Sequence, residues 1–306
     1  MGSYLVKRLG YSVLVLLMVS VLIFLISRLS GDPAALMAPP EARAEDIQAI
    51  RTNLGLDKPL HEQYLIFISN AVRGDLGTSL WQKQPALNLV LERFPATVEL
   101  AVTAMAFATL LGIPLGIIAA IKRDGFIDRL TMMLAVLGQS VPNFWLGMML
   151  ILIFASLLHW LPSSGRGTWQ HLLMPALTLS AFPLARIARL TRSGLLEVLH
   201  QDYIRTARSK GLTESAIILK HALRNAAIPI VTVMGLQIGG LLGGAVIVET
   251  VFAWPGLGRL VVQSVFMRDF PLVQASTLFI AVIFVLVNLL VDLSYSLIDP
   301  RIKTAG

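Results

Sequence analysis

Six apolar runs, at 9–29, 96–121, 130–158, 172–190, 226–250 and 272–298, constrain this chain more than any single motif. A helix rises ~1.5 Å per residue and a bilayer's hydrocarbon core is ~30 Å thick, so ~20 apolar residues suffice to cross it. Backbone groups inside lipid must pair within the segment, which leaves helices for runs of this length. The runs predict an all-α polytopic membrane protein with six transmembrane helices. A water-soluble fold with 56% hydrophobic and 14% charged residues would expose large apolar patches. No polar segment is long enough for a second soluble domain, so 1–306 reads as a single transmembrane domain.

Charge sets the expected orientation. Lys7 and Arg8 precede the first run, and that run, 21 residues long, exceeds the ~7–15 residues of a signal-peptide apolar region. It reads as an uncleaved first span. With the N-terminus inside, the inner segments 1–8, 122–129, 193–225 and 299–306 hold twelve Lys and Arg, against three in the short outer loops 159–170 and 251–271. That asymmetry places both termini and the 193–225 loop in the cytoplasm. The net charge of +7 is thus a topological signal, and no nucleic-acid role is expected. The long outer segment, 30–95, is broken by Pro39 and Pro40. It holds a short helix at 44–54 and a second at Leu60–Val72, whose helical apolar spacing suits the membrane surface or the flank of the bundle.

Within the spans, Glu99 reads as a first-turn anion of the second. Gly112 and Gly116 form a small-xxx-small pair for close helix approach. Gln139, Ser140, Pro142 and Asn143 interrupt the third span, as a structural kink or the edge of a polar pathway. Arg186, Arg189 and Arg192 recur at the inner end of the fourth and suit lipid phosphates or a partner. Gly235, Gly239, Gly240, Gly243 and Gly244 crowd the fifth, for tight packing, an interface or a gate. Asn288 and Asp292 share a face of the sixth, where a structural hydrogen bond is favoured over a proton relay. Gln139, Asn143, Gln237 and Asn288 are the candidate pathway residues, being polar groups inside spans.

Several chemistries are excluded. The chain has no cysteine, hence no disulfide, thiolate metal site or thiol catalysis. It has no G-x-x-x-x-G-K-[ST] phosphate loop, no H-E-x-x-H, no G-x-S-x-G, and its five histidines do not pair on one helical face. Neither an ATPase nor an intramembrane hydrolase is supported. An ion-driven carrier would want more charge at mid-depth than Asp292 supplies, and a receptor or scaffold leaves one stretch unexplained.

That stretch is 202–229, a basic interruption in an apolar chain. Asp202 suits the N-cap of a short helix and Lys210 its C-terminal end. Gly211 can take the left-handed conformation that ends it. Thr213 can cap a second helix with Glu214 in its first turn, and Pro229 marks entry to the fifth span. The string Tyr203-Ile204-Arg205-Thr206-Ala207-Arg208-Ser209-Lys210-Gly211, then His221-Ala222-Leu223-Arg224-Asn225-Ala226 and Pro229, resembles the "EAA" loop of bacterial ABC-importer permeases, in the dipeptide/oligopeptide/nickel branch. Gly31-Asp32-Pro33, Gly74-Asp75-Leu76-Gly77 and Trp254-Pro255-Gly256-Leu257-Gly258-Arg259 extend the resemblance over nearly the whole chain. Arg205 stands where the name-giving Glu would be, so no contact of that Glu carries over.

The resemblance implies a type I importer permease in a bacterial inner membrane. Its partners would be a second, different permease, two cytoplasmic ATPase subunits or domains holding ATP and Mg, an extracytoplasmic substrate-binding protein, and membrane lipid. This chain would hold no cofactor or metal and would not itself be an enzyme. Tyr203, Arg205, Thr206, Ala207, Arg208 and Gly211 would form the ATPase-coupling surface. The cargo would be dipeptides or oligopeptides, with dipeptide and glutathione permeases the most similar and nickel uptake the alternative.

Overall fold

The computed structural model describes residues 2–29, 34–35, 43–53 and 55–298. Gly31-Asp32-Pro33 and the break at Pro39 and Pro40 lie outside them. The described residues are nearly all helical: α1 (Gly2–Leu29), α2 (Ala44–Asn53), α3 (Leu60–Val72), α4 (Ala86–Ile121), α5 (Phe126–Ser140), α6 (Asn143–Leu150), α7 (Trp169–Leu199), α8 (Asp202–Ser209), α9 (Leu223–Val251), α10 (Leu257–Phe266) and α11 (Phe270–Ile298). The only β-bridge among them joins Thr78 and Pro85. Four helices are long and apolar enough to cross a membrane, and two bent pairs bring the number to six if each is one span.

The bends revise the expected spans. α5 and α6 meet at 108°, far more than a proline kink. Pro142, at the N-cap of α6, has no N–H to continue α5, and Val141 is extended. α6 then loosens into a π-helical stretch, Ile151–Leu157. A second π-helical stretch, Ile217–Ala222, leads into α9, and the axis turns by 53° around Pro229. α4 starts ten residues before its apolar run. Glu99 is therefore not in a first turn; its carboxylate meets the Arg166 guanidinium at 2.6 Å, and Arg166 lies over the Trp254 ring.

Contacts divide the chain into two units, Met1–Pro95 with Gly256–Leu286 and Ala96–Pro255 with Val287–Ala305. In the first, α3 packs on α1: Ser20 and Tyr64 share a 2.8 Å hydrogen bond, and Phe24 meets the Tyr64 ring edge-on. Leu60–Val72 thus flanks another helix, one of the two positions its spacing suits. Gly74 and Gly77 both have left-handed φ, and the Asp75 carboxylate accepts from the Gly77 N–H, closing the outer turn. Beyond it the buried Ser79 hydroxyl donates to Asp269 and the Trp81 indole to the Met267 carbonyl. Leu89, Val90, Leu257, Leu260 and Leu272 form that unit's core.

The second unit is built on α4, α7 and α9. Its core joins Leu100, Ala104, Met174, Leu179, Ile187, Val248 and Trp254. Gly112 and Gly116 bring α4 against the backbone of α7, as their spacing predicts: a Cβ on Gly116 would stand 2.5 Å from the Ala188 carbonyl oxygen. Gly240 and Gly243 of α9 instead face open space, so they do not serve packing within this chain. Trp254 is buried and donates its indole N–H to the Ala96 carbonyl. The Thr97 hydroxyl donates to the fully buried Glu249 carboxylate.

Candidate coupling loop and translocation cleft

α7 starts at a capping box, in which Thr168 and His171 bond reciprocally, and runs unbroken through Pro175 and Pro183 to Leu199. Near its inner end Arg192 grips Asp128 of α5 with two bonds, at 2.6 and 2.7 Å. Asp128 also accepts from the Asp124 N–H. Arg192 is therefore committed within the chain, not to lipid or a partner as its spacing suggested. The ion pair fixes the start of α5 to the end of α7, a few residues before α8.

α8 is a two-faced helix. Ile204 and Ala207, one turn apart, are buried in a cluster with Leu195, Ile217, Ala222 and Ala226. Arg205, Thr206 and Ser209 point outward, and the Arg205 side chain is 75% exposed. The N-cap is Gln201; Asp202 sits in the first turn instead. Gly211 follows with φ +77° and nothing within contact of a would-be Cβ, so conformation and not crowding selects glycine there. Thr213 takes the N-cap position of the single turn Glu214–Ala216, which runs into the π-helical stretch, without a capping hydrogen bond.

Two side-chain ties brace this corner. Arg208 forks onto Glu214 across the glycine, at 2.8 and 3.3 Å. That bond pushes the Arg208 pKa further above its ordinary value, so it stays cationic. The Asn225 side-chain N–H donates to the Tyr203 hydroxyl at 2.7 Å. The expected coupling residues thus divide by role. Arg205 and Thr206 lie on the exposed face, where Arg205 pairs with Asp202 at 3.6 Å and the Thr206 hydroxyl donates to the Asp202 carbonyl. Tyr203 and Arg208, both part-exposed, brace the helix. Ala207 is part of its seat, and Gly211 makes the left-handed turn that ends it. Glu214, Asn225 and Ile204 complete the corner. Ile204 and Asn225 stand in the motif string and Glu214 in an expected first turn, but the string did not reveal what each of them touches.

The polar residues inside the spans are partly brought together. Asn143 and Gln237 line one cleft of about 240 Å³ with Leu179, Phe182, Pro183 and Gly240. Gln139 lines an adjoining cleft of about 380 Å³ with Phe182, Arg186 and Arg189. Phe182 belongs to both. The Gln237 amide nitrogen is buried without a hydrogen-bond partner among the described residues. Asn288, on α11, lines neither cleft.

Comparison with known proteins settles what kind of machine this is. A family model for the inner membrane component of binding-protein-dependent transport systems matches residues 112–304, and one for the N-terminal part of such components matches 1–101. The chain belongs to this family. It is a multi-pass inner-membrane protein and an ABC-importer permease. It is 50% identical, over 99% of both chains, to the glutathione transport system permease protein GsiC of Escherichia coli K12, and equally to that of Shigella dysenteriae serotype 1. In fold it is similar to the inward-facing MetNI methionine ABC transporter, with a TM-score of 0.56 over 69% of this chain and 96% of that one at 20% identity. An amino acid ABC transporter solved with histidines gives 0.50 over 70% and 94%, also at 20% identity. These likenesses make the permease's fold a type I importer fold.

Proposed function

We propose that this permease, paired with a second one, imports glutathione or short peptides, and that α8 is where ATP hydrolysis in two partner ATPases reaches it. The half-identity to glutathione permeases along the entire chain supports the cargo. The observation that carries the coupling role is the construction of α8: an exposed polar face on a buried apolar seat, braced to the helix that follows. An ATPase gripping Arg205 and Thr206 would move α8 as a body. Ile204 and Ala207 would pass that motion to α7, and the Arg208–Glu214 and Tyr203–Asn225 ties to α9. Both helices wall the clefts, so the clefts would alternate between inward- and outward-facing states. Both termini lie in the cytoplasm in this scheme. ATP and Mg belong to the partner subunits, and an extracytoplasmic binding protein delivers the cargo.

The test is uptake by the purified complex in proteoliposomes with the binding protein present. Labelled glutathione or peptide should accumulate with MgATP and not with MgADP. ATP-driven nickel uptake without peptide uptake would move the assignment to the nickel alternative. Uptake driven by an ion gradient without ATP would overturn the coupling scheme.

A further inference from the structure

Arg186 and Arg189 occupy neighbouring turns of α7, are exposed, and both line the larger cleft with Gln139, Phe182 and Ser193. Neither forms an ion pair among the described residues, in contrast to Arg192. Arg186 precedes Arg192 by six residues, or ~9 Å along the axis towards the membrane interior. A guanidinium at such depth is costly beside hydrocarbon and persists where it meets a watery cavity. Through Phe182 this cationic cleft adjoins the neutral one of Asn143 and Gln237. A solute moving between them would pass from amides to guanidinium groups.

We propose that Arg186 and Arg189 form a carboxylate-recognising vestibule on the translocation route, favouring small cargo that carries free carboxylates. The inference rests on the import reading above and adds the charge class of the cargo. A guanidinium offers a carboxylate two parallel N–H donors. Two of them a turn apart can hand one carboxylate onward, or hold two at once. Because both open onto a cleft and are not enclosed, binding stays weak enough for release, as transport requires. Lipid phosphate is the competing anion of similar chemistry.

The experiment measures ATP-driven glutathione uptake by the full complex, with binding protein, for wild type, Arg186→Gln/Arg189→Gln and Arg186→Lys/Arg189→Lys. It is run in phosphatidylcholine vesicles with and without phosphatidylglycerol. The Gln pair should lower uptake about tenfold or more, the scale of a lost charged hydrogen bond, in both lipids, and the Lys pair, which keeps the charge but loses the fork, should fall between the Gln pair and wild type. Unchanged uptake in the Gln pair, or equal failure of the Lys pair, would overturn the proposal. So would a loss confined to anionic vesicles, which would assign the arginines to lipid. A wild-type complex that imports neither glutathione nor peptide refutes the import reading first, and the vestibule with it.

Discussion

Gly116→Ala should loosen the α4–α7 seam on which the second unit is built. An added Cβ would lie 2.5 Å from the Ala188 carbonyl oxygen and 2.6 Å from the Thr191 Cβ. The first obstacle is backbone and cannot rotate away. Restoring ordinary contact separates the helices by about 0.5–0.9 Å, a gap that forfeits a quarter to a half of the dispersion energy of the atoms facing it. Overpacking of this kind costs about 2–3 kcal/mol, and alanine's better helix propensity returns about 1, leaving a net loss of about 1–2 kcal/mol. Gly112→Ala meets the Leu184 carbonyl oxygen at 3.0 Å and Ile187 at 3.1 Å, so its cost and gain should cancel to within about 0.5 kcal/mol. Gly240→Ala, in open space, should not destabilise the isolated chain. Denaturant titration of the purified protein in mixed micelles gives the order directly. A Gly116→Ala protein as stable as wild type, or less harmed than Gly112→Ala, would refute the close-approach argument.

Three other outcomes follow from the site. Arg192→Met strands the Asp128 carboxylate, whose side chain is only 4% exposed, and should cost about 3 kcal/mol, while Asp128→Leu with Arg192→Met should recover much of it; micelle titration of both tests this. Gly211→Pro demands φ near −65° where the chain has +77°, so it should preserve ATP hydrolysis by the complex while lowering uptake; unchanged uptake would show that the Gly211 turn plays no part in coupling. Glu214→Gln releases one brace of α8, and trypsin should then cut more readily at Arg205 or Arg208, read by mass spectrometry against the wild type.

Much of this was legible because hydrophobic periodicity and glycine placement act locally. Apolar runs marked the spans, Leu60–Val72 emerged with its expected bounds, and the Gly211 break stood where left-handed φ was anticipated. What sequence hid was either long-range or a matter of degree. Asp128 and Arg192 are 64 residues apart, and nothing in the local pattern of either names the other. The polar look of Glu92, Arg93 and Pro95 concealed that α4 already runs through them. Pro142 announced an interruption but not a 108° turn, which depends on how the two halves pack. Ala207 read as part of a contact surface because the resemblance implies one there; its one-turn partnership with Ile204 shows that it faces the chain's own core.

The most direct measurement of the central claim uses a property of the chain itself. Having no cysteine, it accepts a single thiol at a chosen position. Thr206→Cys, on the exposed face of α8, should cross-link in native membranes to an ATPase identified by its phosphate-loop peptide. Ala207→Cys, one residue away but 8% exposed, should not. Cross-linking of Thr206→Cys that rises and falls with nucleotide state would establish α8 as the moving contact. A complex that co-purifies with its ATPases while Thr206→Cys never cross-links to them would contradict the account.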